Sequence, residues 1–341
     1  MDTNFVIPAK IGKYRFHRAI GKGSTSNVYT VLSDDNREKL CCKVISKQII
    51  QSESSIKHLR SEISNILQCD HPNILRITDI MQDSTNFYII TEFCSKGTLY
   101  ELITTETKLS EEQSKDIFHQ VISALEYLHQ IGIVHRDIKP ENIYIDNNNM
   151  VRIGDLGLSS VTIGLLTTQC GTLTYCSPEI ISNSPYDGKL SDIWSCGVLL
   201  YVMVTGRVPW TAKQTAILTE QIKKAKIAPP TGISAQCLDL ITKMMAVDPE
   251  KRPSCQEILN HPWLVGSDTC LVASHTLPSI RPQLIGMFFD DTNEMSSLPT
   301  LKVNRKPDRG EAVKLLNTAS RKPPKRKLHS VPASPIRSIC I

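Results

Sequence analysis

Within eight residues, His135-Arg136-Asp137-Ile138-Lys139-Pro140-Glu141-Asn142, this chain carries a carboxylate, an ammonium and a carboxamide at short spacing. Phosphoryl transfer calls for such groups. An acceptor hydroxyl must be aimed at phosphorus, and negative charge must be neutralised around it. Asp137 can orient and deprotonate a hydroxyl, Lys139 can sit against a transferring phosphate, and Asn142 can hold a magnesium ion. Upstream lies a second segment suited to phosphates, Gly21-Lys22-Gly23-Ser24-Thr25-Ser26-Asn27-Val28. Glycines let a backbone approach phosphates closely and point N–H groups at them. Taken alone, such a turn more often only connects two strands.

The run at 135–142 fits the pattern H-R-D-x-x-x-x-N at every defined position, and the chain resembles the protein kinases in the motifs around it. The turn at 21–28 resembles the kinase glycine-rich loop, with Ile20 beside it and Val28 over one face of adenine. Cys41-Cys42-Lys43-Val44 occupies the place of V-A-I-K. Lys43 is the candidate contact for the α- and β-phosphates, and Glu62 in the next expected helix is placed to pair with it. Asp155-Leu156-Gly157 stands where D-F-G is expected, thirteen residues after Asn142, and Asp155 would ligate magnesium. Ser177-Pro178-Glu179 resembles A-P-E. Arg252 is the expected partner of Glu179, because a lone buried carboxylate is costly. Asp192-Ile193-Trp194 resembles the start of the buried central helix, where Asp192 is expected to hydrogen-bond the catalytic-loop backbone.

Lys139-Pro140-Glu141-Asn142 favours the serine/threonine kinases over the tyrosine kinases. Cys170-Gly171-Thr172, Leu200-Tyr201-Val202-Met203 with Gly206 and Pro209, and His261-Pro262-Trp263-Leu264 look like the calcium/calmodulin-dependent and AMP-activated kinase group. The resemblance implies a two-lobed α+β fold across 14–264. A small, mainly antiparallel β N-lobe with one helix (14–91) and a hinge (92–97) would precede a larger, mainly helical C-lobe (98–264). It also implies ATP and Mg2+ as cofactors and protein substrates with Ser/Thr acceptors. The hinge backbone of Glu92-Phe93-Cys94 would contact adenine, with Thr91 as gatekeeper. Arg136 ahead of Asp137 implies activation by an upstream kinase that phosphorylates the activation loop, at Thr168 or, next, Thr167. Thr172 is expected to contact Asp137 and Lys139.

Four positions depart from the family pattern. Ser26 holds the third glycine position, Leu156 replaces Phe, and Thr98 stands where many relatives carry a glutamate. Tyr144 lies near the floor of the adenine pocket, where an aliphatic residue is commoner. Ser26, Leu156 and Tyr144 are the support for an alternative, a pseudokinase scaffold that signals by binding.

Several elements must position these residues. β-Favouring residues mark strands within 14–31, at 40–45, at 74–81 and at 86–92. Ile56, Leu59, Ile63, Ile66 and Leu67 recur at helical spacing over 54–68. Ser110 with Gln113 predicts a capped helix carrying Ile117, Val121, Leu125 and Leu128 on one face and ending at Gly132. Residues 192–205 are apolar nearly all round, which predicts a helix buried on most sides. Helical patterns recur at 213–227, 234–246 and 254–260.

Composition bounds the rest. The 341 residues carry a net charge of +5, but 302–341 alone hold a local +9, so the remainder is acidic at −4. The stretch 265–341 reads as a basic, largely disordered tail, and 1–13 as an N-terminal extension. No apolar run approaches the ~20 residues of a membrane span, and the eleven cysteines show no zinc-like spacing. Reduced thiols point to a cytoplasmic protein, and Lys322-Pro323-Pro324-Lys325-Arg326-Lys327 adds a candidate nuclear localisation signal. No aromatic residues interleave the charges of 302–341, so no specific nucleic-acid binding is expected. The catalytic domain is expected to be monomeric.

Overall fold

The β-favouring stretch that opens at Tyr14 becomes two antiparallel strands in the computed structural model, which describes residues 7–22, 26–48, 59, 63–64, 67, 69–156, 160–161, 165–167 and 170–265. A short β1 (Lys10–Ile11) edges β2 (Tyr14–Lys22), so pairing begins within the stretch read as an extension. Antiparallel pairing continues through β3 (Ser26–Ser33), β4 (Lys39–Ser46), β5 (Ile77–Gln82) and β6 (Asn86–Glu92), in the order β1-β2-β3-β4-β6-β5. Register shifts in β2 at Phe16/Arg18 and Ala19/Gly21 bend the strand as it approaches the glycine-rich turn.

Side chains alternate across this sheet. Leu40, Cys42 and Val44 of β4 pack with Tyr14, Val31, Tyr88 and Ile90 on one face. Ile45 turns the other way, against Ile77, Ile80 and Ile89 and the helical residues Leu59, Ile63 and Leu67. Lys43 shares the parity of Ile45 and so projects from that second face. The remaining residues of the expected 54–68 helix lie outside the described residues.

The second lobe is mainly helical, with α1 (Leu99–Glu106), α2 (Glu111–Gln130), α3 (Pro178–Ile181), α4 (Gly188–Thr205), α5 (Thr215–Lys223), α6 (Ala235–Met244) and α7 (Cys255–Leu259). Helix α2 begins at the expected Ser110–Gln113 capping box, and Gly132 follows its end at φ +81°. Its Ile117, Val121, Leu125 and Leu128 are buried, each stabilising the lobe by about 1.5–3 kcal/mol. Helix α4 is buried on almost every side, as expected, but starts four residues earlier than the apolar run because Asp187 caps it. It ends at Gly206, φ +70°, where a Cβ would collide with the Thr107 carbonyl.

Two short antiparallel strand pairs, only the second of them a hairpin, frame the loops around the candidate site. Strand β7 (Ile133–Val134) pairs with β10 (Ser160–Val161), and β8 (Ile143–Ile145) with β9 (Val151–Ile153). The expected Glu179–Arg252 pair is bidentate, at 2.7 and 2.8 Å, and Arg252 also donates to the carbonyls of Leu190 and Ala246. It ties α3 to the turn before α7. Among the described residues no helix is long and apolar enough to cross a membrane, and the cysteines are free thiols.

Candidate active site

The loop after β7 is held from beneath by one buried carboxylate. Asp192, fully buried in α4, accepts hydrogen bonds from the backbone N–H of His135 at 2.9 Å and of Arg136 at 2.7 Å. His129 Nε2 lies 2.9 Å from the same carboxylate. A carboxylate accepts only, so His129 must donate, leaving its Nδ1 to face the Cys255 thiol at 3.6 Å. This clamp holds Arg136 at φ +66°, a left-handed conformation costly for a residue with a Cβ. His135 in turn accepts the Asp137 N–H on Nδ1 (3.2 Å), and its Nε2 donates to the Gly154 carbonyl (3.1 Å), linking the loop to the segment before Asp155.

So positioned, Asp137 meets three side chains. Its Oδ2 lies 2.7 Å from Lys139 Nζ and 3.0 Å from Asn142 Nδ2. Its Oδ1 accepts the backbone N–H and the hydroxyl of Thr172, both at 3.1 Å. Lys139 also donates to Thr172 Oγ1 at 2.9 Å. Burial works to lower the Lys139 ammonium, but the hydrogen bond and charge of Asp137 outweigh it and raise it net. The 3-10 turn at Pro140–Asn142 brings Asn142 under Asp137, whose carbonyl accepts Nδ2 at 2.8 Å. Asn142 Oδ1 is left without a donor among the described residues.

Lys43 reaches Asp155 across the cleft, Nζ to Oδ1 at 3.3 Å. Burial pushes the Asp155 carboxyl up, and the Lys43 charge overcomes it, so the group is held below the usual carboxylate range. Asp155 itself sits at φ +56°. Its Oδ2 and Asn142 Oδ1 are oxygen donors of the kind a hard cation takes, for which one or two protein carboxylates suffice. Leu156 is fully buried in the helical lobe's core.

At the hinge, Glu92 ends β6 and its carboxylate is engaged on both oxygens, by the Arg76 N–H at 2.8 Å and Arg152 Nε at 3.1 Å. Cys94 is buried, which pushes its thiol up to about 12. Thr91 lies opposite Cys41 in the sheet. Ile20, Gly21 and Lys22 finish β2, Ser26, Asn27 and Val28 begin β3, and Val28 pairs with both Gly21 and Lys43. Thr98 caps α1 in a reciprocal capping box with Glu101, so its hydroxyl has a structural task. Burial, with Asp155 adding to it, pushes the Tyr144 phenol up to about 12.

Glu62, Gly23, Ser24, Thr25, Gly157 and Thr168 lie outside the described residues. The Lys43–Glu62 pairing and the phosphosite fall there with them. Sequence reasoning misses His129 and Arg152. Each is recruited by a carboxylate about 60 positions away in sequence, and no local pattern marks such a pair.

Residues 14–264 match the family model described as the protein kinase domain. CBL-interacting protein kinase 31 of Oryza sativa subsp. japonica is 34% identical over 262 residues, covering 75% of this chain and 58% of its own length. CBL-interacting serine/threonine-protein kinase 8 of Arabidopsis thaliana is 32% identical over 263 residues, 76% of this chain and 59% of its own. Serine/threonine-protein kinase kin-29 of Caenorhabditis elegans is 37% identical over 257 residues, 75% of this chain and 31% of its own. The chain thus spans less than two thirds of the length of these curated relatives.

Proposed function

Since the chain belongs to the protein kinase family, we propose that residues 14–264 form an active serine/threonine kinase domain that transfers the γ-phosphoryl group of Mg-ATP to Ser and Thr hydroxyls of proteins. The observation that carries this reading is the convergence of Lys139, Asn142 and Thr172 on the Asp137 carboxylate, with the Lys43–Asp155 pair in the same cleft. Bound Mg-ATP would supply the transferable group and the cation. Asp137, fixed by three neighbours, orients the acceptor hydroxyl and takes up its proton. Lys139 offsets negative charge beside it. Lys43 would hold phosphate oxygens, Asn142 Oδ1 and the Asp155 carboxylate would hold the magnesium ion, and the backbone of Gly21 and Lys22 would lie beside the phosphates. Catalysis of this kind is positioning and charge stabilisation, which side chains pinned in this way favour. No observation among the described residues favours the binding-only scaffold.

In the same reading, phosphorylation of Thr168 by an upstream kinase raises activity through Arg136, whose side chain hydrogen-bonds Tyr186 and whose charge is felt by the Cys170 thiol. Cytoplasmic residence with nuclear entry through 322–327 belongs to the proposal as well, and a fluorescent fusion carrying or lacking those residues tests it. The activity is tested by single-turnover transfer from Mg-ATP to a mixed Ser/Thr peptide pool with wild type and Lys43→Met. Transfer by wild type and its loss in the variant support the reading, and nucleotide binding without transfer, before and after treatment with an activating kinase, refutes it.

A further inference from the structure

Strand β8 turns one residue away from the lobe core. Ile143 and Ile145 are 0% and 3% exposed and pack among the helices, so Tyr144 between them faces the opposite way. A Cβ built on Gly154 would lie 2.7 Å from Tyr144 Cε2 and 3.2 Å from Cδ2. The phenol therefore fills the space that a side chain at 154, next to Asp155, would need. Its hydroxyl makes no hydrogen bond among the described residues, and Asp155 and Lys43 are the charges that act on it most. A hydroxyl half-removed from water gains free energy from any acceptor brought to it.

The register shows which part of a bound base it meets. Cys41 lies opposite Thr91, just before the hinge, and Lys43 lies two residues further in, opposite Ile89. A donor beside Lys43 and Asp155 would thus face the inner edge of a base whose outer edge the hinge backbone would hold, as the kinase resemblance implies. On adenine, N7 is the ring acceptor next to the amino group and is not used when N1 and the amino group are bound. We infer that Tyr144 is a purine-positioning residue whose hydroxyl donates to N7 of the bound adenine, replacing a side chain that Gly154 lacks. This inference rests on the Mg-ATP reading above.

The test is calorimetric titration of the full chain with Mg-ATP and with Mg-7-deaza-ATP, in which C–H replaces N7, for wild type and Tyr144→Phe. One lost hydrogen bond predicts about tenfold weaker binding of the deaza nucleotide to wild type. Tyr144→Phe should bind both nucleotides alike, at the weaker value. Equal affinities in wild type, or discrimination retained in Tyr144→Phe, would overturn the inference alone. A wild type that binds no Mg-ATP would overturn the kinase reading and this inference with it. The wild-type comparison needs no variant, so a folding defect in Tyr144→Phe leaves the inference falsifiable.

Discussion

Replacing Asp192 by Asn should uncouple the catalytic loop from the helix that holds it. Asp192 is fully buried, with Oδ2 taking the N–H of His135 and of the His129 ring and Oδ1 taking the N–H of Arg136. Asn has nearly the same shape, but one oxygen becomes an NH2 group that must face a donor. If it faces Arg136, one backbone N–H is orphaned. If it faces His135 and His129, two donors are. Each orphan costs about 1–3 kcal/mol, and the surviving bonds lose the strengthening that a charged acceptor gives. The expected loss is therefore about 3–5 kcal/mol, a drop of roughly 6–20 °C in Tm for a domain of this size. Activity should suffer separately. Arg136 keeps φ +66° only while its N–H is held, and the direction of Asp137 depends on it. The turnover rate should fall by at least about tenfold, which a loss of 1.4 kcal/mol would produce, while the KM for Mg-ATP changes little. Thermal unfolding and steady-state kinetics on the same preparation check both parts. A variant with wild-type Tm and wild-type turnover would refute the clamp.

Two further outcomes follow from carboxylates held by named partners. Arg252→Met leaves Glu179 buried without its bidentate partner and should cost about 3–5 kcal/mol in denaturant unfolding. Adding Glu179→Leu should recover a large part of that loss, and a double variant no more stable than Arg252→Met would contradict the pairing. Asp83 gives a pH test. Burial works against its carboxylate, but hydrogen bonds from Tyr88, Thr85 and Asn86 lower it from 3.8 to about 2. A depressed carboxyl stabilises the fold above its unfolded value and loses that contribution as pH falls through the folded one. Asp83→Asn should thus cost about 1–2 kcal/mol at neutral pH once solvent screening of this partly exposed group is allowed for, and the gap to wild type should close between pH 4 and pH 2. A gap that persists below pH 2 would count against the assignment.

Much of this architecture is legible because its signals are local. Ser110 and Gln113 announce α2 with a capping box, Gly132 marks its end, and the loop at 135–142 carries its chemistry within eight residues. Where the signal is short, the reading fails. Helix α1 buries only Leu99 and Ile103, too little for a periodic pattern, although Thr98 and Glu101 form a capping box that could have revealed it. Strand β1 and the partners β7 and β10 are two residues each, below the length at which alternation can be seen. Helix α4 begins before its apolar run because the start is set by the Asp187 cap rather than by burial. Hidden altogether are the pairs that tertiary structure creates, Asp192 with His129 and Glu92 with Arg152. They stand on different elements and answer the need of a buried carboxylate for donors, which is known only once the fold is known.

The most direct test of the central claim is transfer of labelled γ-phosphate from Mg-ATP to Ser/Thr peptides by wild type and by Asp137→Asn. Asn keeps the size of the side chain and an acceptor for Thr172, but it removes the charge that meets Lys139 and, in the proposed reading, the base that takes the proton. The account predicts transfer by wild type and a loss of at least about a hundredfold in the variant, the scale of general-base catalysis, with nucleotide binding preserved. Equal transfer by both proteins, or none by wild type after treatment with an activating kinase, would contradict it.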